Sequence, residues 1–506
     1  MANKLLTKSN YLLGLQCSKL LWVAKNDKTR IPEPDFSARH NFEVGDIIGV
    51  LATKVFPGGT DLAGLGFMEN IAATKKAVEK RETIYEAGFM KDGLFSRGDV
   101  LLPVGEDEWD IIEVKSATKV KDINLHDVSF QKYVYEKAGL KIRDCYLMHL
   151  NSEYIRDGNI EAGELFVQAD ISEKVEEFSE GIEGRIKEMV GIINGSEPEF
   201  LVDDVLTMEY GNICLDDFMK SLPKDNVFEF YRMLKATKVE LYKNGHKLMK
   251  DVPEGVKLSD KQGIQRRLAR DGGKQIDKIE IKNFLRNLKY PIYYLDFETI
   301  APALPKFDGM RPYQRIPFQF SLHVQSKALN GHDSGEPGGK IKHYSFLAEG
   351  VNDPRQEFMM ELKRLLKKRG SIVVYNQGFE KGVMNECATS FPEFWDWYTE
   401  NIEGRVKDLL DVFRDFDYYD PRQKGSASIK KVLPVLSDLK YSDLEISEGM
   451  FASLEYERVT YDPSVSDEEK LKVRDNLEEY CEMDTLAEVE IVGALGKILK
   501  GMKGSN

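Results

Sequence analysis

The stretch Tyr290-Pro-Ile-Tyr-Tyr-Leu-Asp-Phe-Glu-Thr299 constrains the fold more than any other part of the chain. It is β-branched and aromatic, as a buried strand is, and it ends in two acids. Side chains alternate faces along a strand, so Asp296 and Glu298 point the same way while Phe297 points into the core. Two carboxylates on one face repel each other unless a cation sits between them. Hard divalent ions such as Mg²⁺ prefer carboxylate oxygens, which makes this strand end a candidate metal site. Taken alone it also reads as a polar strand end with solvated acids, so the rest of the chain has to supply further ligands.

With 506 residues the chain exceeds one core; at about 150 residues per domain, roughly three are expected. It is 42% apolar and 31% charged, a composition that supports folded structure throughout and leaves no long disordered tract. The net charge of −14 argues against a surface coated for non-specific nucleic-acid binding. It is compatible with a nuclease, because carboxylate metal sites add negative charge and a local basic groove can coexist with an acidic exterior. Cys17, Cys145, Cys214, Cys387 and Cys481 are scattered, with no C-x-x-C pair, which fits a reduced, cytoplasmic setting. The apolar run from Tyr11 to Trp22 is broken by Gln16, Ser18 and Lys19, so neither a signal segment nor a membrane span is expected.

In the N-terminal third, the spacing of Leu12, Leu13, Leu15, Cys17, Leu20, Leu21 and Trp22 predicts a half-buried first helix. Thr83–Phe89 reads as a strand, with Glu86 a further, weaker acid. Leu94–Val104 and Trp109–Lys115 read as a β-hairpin around the turn Gly105–Glu108. That register places Asp99 opposite Glu113 or Lys115, to within one residue, and puts Ile111, Glu113 and Lys115 on one face. One acid from the first strand and an acid plus a lysine from the second thus converge. Two acids can hold a metal and a lysine can neutralise developing charge on a phosphate, although the same triplet occurs in ordinary surface hairpins. Gln131 and Tyr135 follow on a predicted helix (Val128–Ala138), one turn apart and on one face. Asp144–Leu150 reads as the next strand.

This order, with Asp99, Glu113-Val-Lys115 and Gln131-x-x-x-Tyr135, resembles the RecB-type branch of the PD-(D/E)xK nucleases. The resemblance implies a restriction-endonuclease-like α/β core binding one or two ions. Asp99 and Glu113 would be metal ligands, Lys115 catalytic, and Gln131 and Tyr135 close to the site. The early-helix acid or histidine of such nucleases is missing: Gly49 stands there, with His40, Glu43 and Asp46 off register. Some relatives carry a four-cysteine iron–sulfur cluster; Cys17 and Cys214 match its outer members, the others are absent, and no cluster is expected.

From Phe166 to about residue 285 the chain reads as mostly helical, for example Val175–Ile193 and Asn226–Tyr242, with Asp170 and Glu173 at capping-box spacing. The basic run Lys261–Arg270, continuing to Lys274, reads either as a phosphate-contacting segment or as a solvated face.

After the opening strand come two more strands, Phe318–Val324 and Lys340–Ser345. An Asp353-Pro354 helix start, the strand Ser371–Asn376 and a helix opening at Gln377–Glu380 follow. A long helix over Leu477–Leu495 carries Tyr480 and Asp484 one turn apart. Asp408 and Asp411 read as caps or surface acids, and Lys430 as a surface lysine or a phosphate contact. The Asp296-x-Glu298 strand, the Asn376-x-x-Phe379-Glu380 segment and the Tyr480-x-x-x-Asp484 helix resemble, in that order, the DEDD exonucleases of the ribonuclease H-like fold, tyrosine subtype. That resemblance implies two Mg²⁺ or Mn²⁺ ions and hydrolysis of nucleic acid from the 3′ end. Asp296, Glu298, Asp484 and Glu380 would be ligands and Tyr480 would orient the attacking water. Glu380 stands where that family has Asp.

Together the two halves resemble a bacterial family (DUF2779-like) that fuses a RecB-type nuclease to a DEDD exonuclease domain. The expectation is an α/β multidomain chain: a nuclease domain over 1–165, a helical linker over 166–285, and a ribonuclease H-like domain over 286–506. Its partner would be DNA or RNA rather than a membrane. The alternative is a nucleic-acid-binding adaptor in which one site has lost its chemistry.

Overall fold

A computed structural model describes residues 4–208, 212–327 and 339–501. The protein is mixed α/β and divides into two compact units. The first comprises Met1–Leu222 with Ala303–Tyr313, and the second Pro223–Pro302 with Gln314–Asn506. The helical stretch expected as a separate linker is therefore shared between them, part on either side of residue 222. Among the described residues no helix is long and apolar enough to cross a membrane.

The first unit is built on a seven-stranded sheet: β1 (Leu6–Thr7), β2 (Thr60–Asp61), β3 (Ile84–Lys91), β4 (Leu94–Val104), β5 (Glu108–Lys115), β6 (Lys141–Leu150) and β7 (Phe166–Asp170). The order is β2-β3-β4-β5-β6-β7, and β1 pairs in parallel with β4. Alternation along β5 sorts its residues between two cores. Trp109 and Ile111 pack with α1 (Lys8–Gln16) and α3 (Asp122–Lys137), whereas Ile112 and Val114 pack with α2 (Phe36–Thr53) on the other face. The first predicted helix is two helices, Lys8–Gln16 and Ser18–Asn26, because Cys17 between them is fully extended at φ −165°. The expected helix over Val175–Ile193 is likewise interrupted, at Glu180-Gly181, where Gly181 adopts φ +71°. Asp170 makes no capping box; it accepts instead from the backbone and hydroxyl of Ser172.

In the second unit, Asn226–Tyr242 is not one helix: a 3₁₀ turn over Val227–Glu229 and a helix over Lys235–Lys243 are joined by irregular chain. A two-stranded ribbon pairs β8 (Gln275–Ile276) with β14 (Tyr418–Tyr419). The main sheet holds β9 (Ile292–Ile300), β10 (Ile316–Gln325), β11 (Ile341–Leu347), β12 (Ser371–Val374) and β13 (Val406–Asp408), in the order β11-β10-β9-β12-β13. β9, β10 and β11 are antiparallel, whereas β12 and β13 run parallel to β9. Tyr293, Leu295 and Phe297 enter a core with Phe320, Leu322, α4 (Arg355–Leu365) and α5 (Gln377–Ser390). The opposite face, which carries Asp296 and Glu298, is covered by α6 (Ile429–Leu436), α7 (Gly449–Tyr461) and the 35-residue α8 (Asp467–Gly501).

The start of β12 depends on Gly370. Its φ of +99° lies in the region that favours glycine, and a Cβ there would stand 2.0 Å from the Pro291 carbonyl oxygen. Gly370→Ala is expected to destabilise the second unit by more than about 1 kcal/mol, read as a lower denaturant midpoint of the full chain. An unchanged midpoint would show that β12 is held differently.

Candidate functional site

The carboxyl end of β9 and the start of α5 after β12 face α6 and α8 across a cavity of about 250 Å³. Successive strands run from β9 through β10 to β11 on one side and from β12 to β13 on the other, so the strand order reverses here, the kind of switch point at which ligands bind in open α/β sheets. Asp296, Glu298 and Asp484 each turn an oxygen to a common point, all within 4.8 Å of one another. Glu380, Tyr480 and Asn376 line the same cavity, so the structure brings every sequence-derived residue of this site into one place. Glu380 does not join that tight group of three.

Burial sets the electrostatics. It pushes the Asp296 and Glu298 carboxyls well above their usual range, and the neighbouring Asp484 charge adds to both. Burial lifts Glu380 to about 8 and Asp484 to about 6. Tyr480 is pushed up by burial and then by the carboxylates around it, so its phenol stays protonated at neutral pH. Glu380 Oε2 and both carboxylate oxygens of Glu488 are buried and have no hydrogen-bond partner among the described residues. Buried acceptors left unpaired around one cavity are what divalent cations satisfy, and the donor set of carboxylate oxygens fits Mg²⁺ or Mn²⁺.

Two residues of this site escaped the sequence reading, and a third, Asp408, was read only as a cap or surface acid. Glu488 lies one turn beyond Asp484, so the helical spacing 480–484–488 contained the signal. Tyr441 donates its hydroxyl to Asp484 Oδ1 at 2.6 Å, and nothing local in the sequence marks it. Of its two readings, cap or surface acid, Asp408 takes the first: it is buried, and it accepts from the backbone N–H groups of Asn376, Gln377 and Leu410. It thereby fixes the turn, with Asn376 at φ +101°, from which α5 and Glu380 start. Lys430, expected mainly at the surface, lines the cavity; its ammonium lies 5.4 Å from the Tyr480 ring centroid and donates to the Ser447 carbonyl.

The first unit assembles a different cluster. The β4–β5 register pairs Val100 with Ile112, which carries Asp99 to the level of Glu113. Asp99 accepts from the Val114 N–H at 2.6 Å, and Lys115 Nζ reaches Glu113 at 2.6 Å. Two residues not singled out in the sequence complete it. Lys8 of α1 contacts Glu113 at 2.8 Å and Asp127 at 3.2 Å, and Asp127 of α3 also binds Lys115 at 2.9 Å. Asp127 precedes Gln131 and Tyr135 at helical spacing and was legible for that reason; Lys8 was not. Gln131 Oε1 is 3.5 Å from Lys8 Nζ, and Tyr135 donates to the Ala87 carbonyl at 2.6 Å. Burial, then Asp127 and Asp99, push Glu113 up to about 7 against the pull of both lysines. Burial alone would lower Lys8, but Glu113, Asp127 and Asp99 outweigh it and raise the amine. Glu86 sits in β3 at φ +59° and pairs with Arg97 at 2.8 Å. Among the described residues, neither Asp99 nor Glu113 belongs to a group of three metal-capable side chains. The fit to a metal is thus poorer here, because two lysines already neutralise the acids.

Elsewhere, Cys17 and Cys214 are buried free thiols, and Cys17 Sγ donates to Asp204 Oδ2 at 3.4 Å. The basic run of the second unit is largely paired within its own fold, Lys261 with Asp415 at 2.9 Å, Arg270 with Asp271 at 2.8 Å and Lys274 with Asp420 at 3.1 Å.

The raised carboxyls make a pH prediction for the metal-free protein. A group whose folded value lies above its unfolded one contributes stability that is complete below the unfolded value and is lost as pH rises through the folded value. For Glu380 the window runs from the usual 4.5 to about 8, and for Asp484 from 3.8 to about 6. Metal-free protein is therefore expected to lose stability across this window, and the rise in melting temperature on adding Mn²⁺ to grow with pH over the same range. A Mn²⁺ effect independent of pH would mean that these acids do not share an ion.

Comparison with known proteins gives limited matches. Residues 293–428 match a family described as a domain of unknown function (DUF2779). An uncharacterized protein of Mycoplasma pneumoniae, the MG366 homolog, is 25% identical over 228 residues, covering 42% of this chain and 33% of its own length. The uncharacterized protein UU173 of Ureaplasma parvum is 24% identical over 243 residues, covering 43% of this chain and 33% of its own length. The chain thus spans a third of the length of these curated relatives, and the family match falls on the segment from β9 to the loop before α6.

Proposed function

We propose that the second unit is a divalent-metal-dependent nuclease that trims nucleic acid from the 3′ end, with a ribonuclease H-like domain of the DEDD type over 286–506. The observation that carries this reading is the convergence of Asp296, Glu298 and Asp484 within 4.8 Å, on a cavity that Glu380 and Glu488 also line. These acids would hold two Mg²⁺ or Mn²⁺ ions. Such ions, when bound, supply charge stabilisation for a phosphodiester and an acidified water.

The chain's own residues account for the rest. Asp296 and Glu298 are held by the strand alternation of β9, so their spacing does not depend on a loop. Tyr441 orients Asp484 by donating to Oδ1. Tyr480, protonated at neutral pH, acts as a hydrogen-bond donor that orients a water and not as a base. Lys430 is the cation facing these acids, placed to meet the negative charge of a phosphate.

For the first unit we propose a restriction-endonuclease-like core with a RecB-type site at Asp99, Glu113 and Lys115. A second reading has a specific observation behind it: Lys8 occupies the space between Glu113 and Asp127. In that reading the cluster binds a phosphate backbone through Lys8 and Lys115 without cleaving it, and the first unit serves as an adaptor.

End-labelled DNA and RNA strands incubated with Mg²⁺ or Mn²⁺ test both. Asp296→Ala is expected to lose 3′ trimming by at least about 10²-fold, whereas Lys115→Ala leaves it intact. If Lys115→Ala abolishes a separate cleavage product, the first unit is a nuclease; if it only weakens strand binding, the adaptor reading holds. Trimming undiminished in folded Asp296→Ala would remove the exonuclease assignment.

A further inference from the structure

A second convergence lies on the same sheet and plays no part in the acidic cavity. β10 pairs with β11 so that His323 stands directly opposite His343, and their rings stack at 4.6 Å between centroids. α8 places Glu482 against both: its Oε1 is 3.5 Å from His343 Nδ1 and 4.0 Å from His323 Nε2. The three side chains offer ligand atoms all within 4.8 Å of one another.

The other nitrogen of each ring is already occupied. His323 Nδ1 is 2.8 Å from Thr485 Oγ1, and His343 Nε2 is 2.9 Å from Ser321 Oγ. The two hydroxyls bond each other at 2.6 Å, tying the rings into one chain. Fixing one imidazole nitrogen so that the other faces a common point is how proteins prepare histidine for a metal. With metal–ligand distances near 2.0–2.1 Å, a tetrahedral site has ligand–ligand edges of about 3.3–3.4 Å. The two edges to Glu482 are 3.5 and 4.0 Å and the edge between the two rings is within 4.8 Å, so a bound ion would draw in both the half-exposed Glu482 carboxylate and the partly exposed His343 ring.

Two imidazoles with one carboxylate suit Zn²⁺ or a similar first-row ion, not the oxygen-seeking Mg²⁺ of the cavity.

We propose that His323, His343 and Glu482 form a zinc-class metal site, separate from the acidic cavity, that fastens α8 to the β10–β11 hairpin. Three protein ligands leave a fourth position for water. Asp484 lies two residues beyond Glu482, so this site sets the position of the helix that carries a cavity ligand. The proposal does not rest on the nuclease reading.

The full chain, stripped of metal with a chelator, is titrated with Co²⁺ as a visible-absorption probe and with Zn²⁺ by calorimetry. Wild type is expected to give the intense visible band of tetrahedral Co²⁺, displaced by one equivalent of Zn²⁺. His343→Gln and Glu482→Gln change partly exposed side chains, so both should fold, as circular dichroism will show. Each is expected to lose the band and at least tenfold in Zn²⁺ affinity, and Thr485→Val to lose about 10–100-fold. Asp484→Asn, in the cavity, is expected to keep the band. A band that survives in folded His343→Gln and Glu482→Gln, that vanishes in Asp484→Asn, or that is missing from wild type would overturn the proposal.

Discussion

Mutual repulsion among buried carboxylates is the constraint that the second unit is built to bear. Asp296, Glu298, Glu380, Asp484 and Glu488 face one cavity, and Lys430 is the cation that lines it with them. Such a set is unfavourable by itself, because desolvation and like charge act in the same direction on Asp296, Glu298 and Glu488. The surrounding fold offsets the cost. An apolar core on one face of β9 holds the strand rigid, and α8 is pinned by polar contacts such as Gln319 Nε2 to the Leu477 carbonyl at 2.9 Å. Those contacts come from a stripe on β10, Gln319, Ser321 and His323, whose buried side chains alternate with Phe318, Phe320 and Leu322. The stripe explains how a face crowded with acids can still be covered by a helix: the helix meets hydrogen-bonding groups there and not hydrocarbon.

The first unit solves the same electrostatic problem in another way. Asp99, Glu113 and Asp127 are matched by Lys8 and Lys115, and the pair interactions hold Asp127 below its usual range despite burial. A cluster neutralised by its own lysines and one left short of cations have different chemical capacities. In the proposed readings the former exchanges its internal partners for a phosphate, and the latter takes up a divalent ion. Two clusters of carboxylates in one chain thus need not do the same work.

Much of this was legible because strand alternation and helical spacing are strict. The pairing of Asp296 with Glu298, the β4–β5 register that levels Asp99 with Glu113, and Tyr480 one turn before Asp484 all follow from those periods. The same spacing pointed to Asp127 and Glu488, where acids were passed over on otherwise mixed helices. Lys8 and Tyr441 were illegible for a different reason: each reaches its site across the fold, Tyr441 to Asp484 over 43 positions and Lys8 to Glu113 over 105. Helix boundaries were misread where backbone geometry outweighed apolar spacing, at the extended Cys17 and at Gly181. Asp408 could not be told from a surface acid in the sequence because the backbone groups it caps come from two separate segments that meet only in the sheet.

The distance in sequence between β9 and α8 bears on how the second unit folds. Cys481 of α8 and Asp296 of β9 are in contact across 185 positions, so joining them closes a long loop, which slows folding. Asp296, Glu298 and Glu380 belong to β9 and α5, which share one apolar core, whereas Asp484 and Glu488 arrive with α8. The repulsion that the last two add is therefore tied to seating one long helix on the sheet. A cation from solution that relieves it would act on that step of folding as well as on its end state.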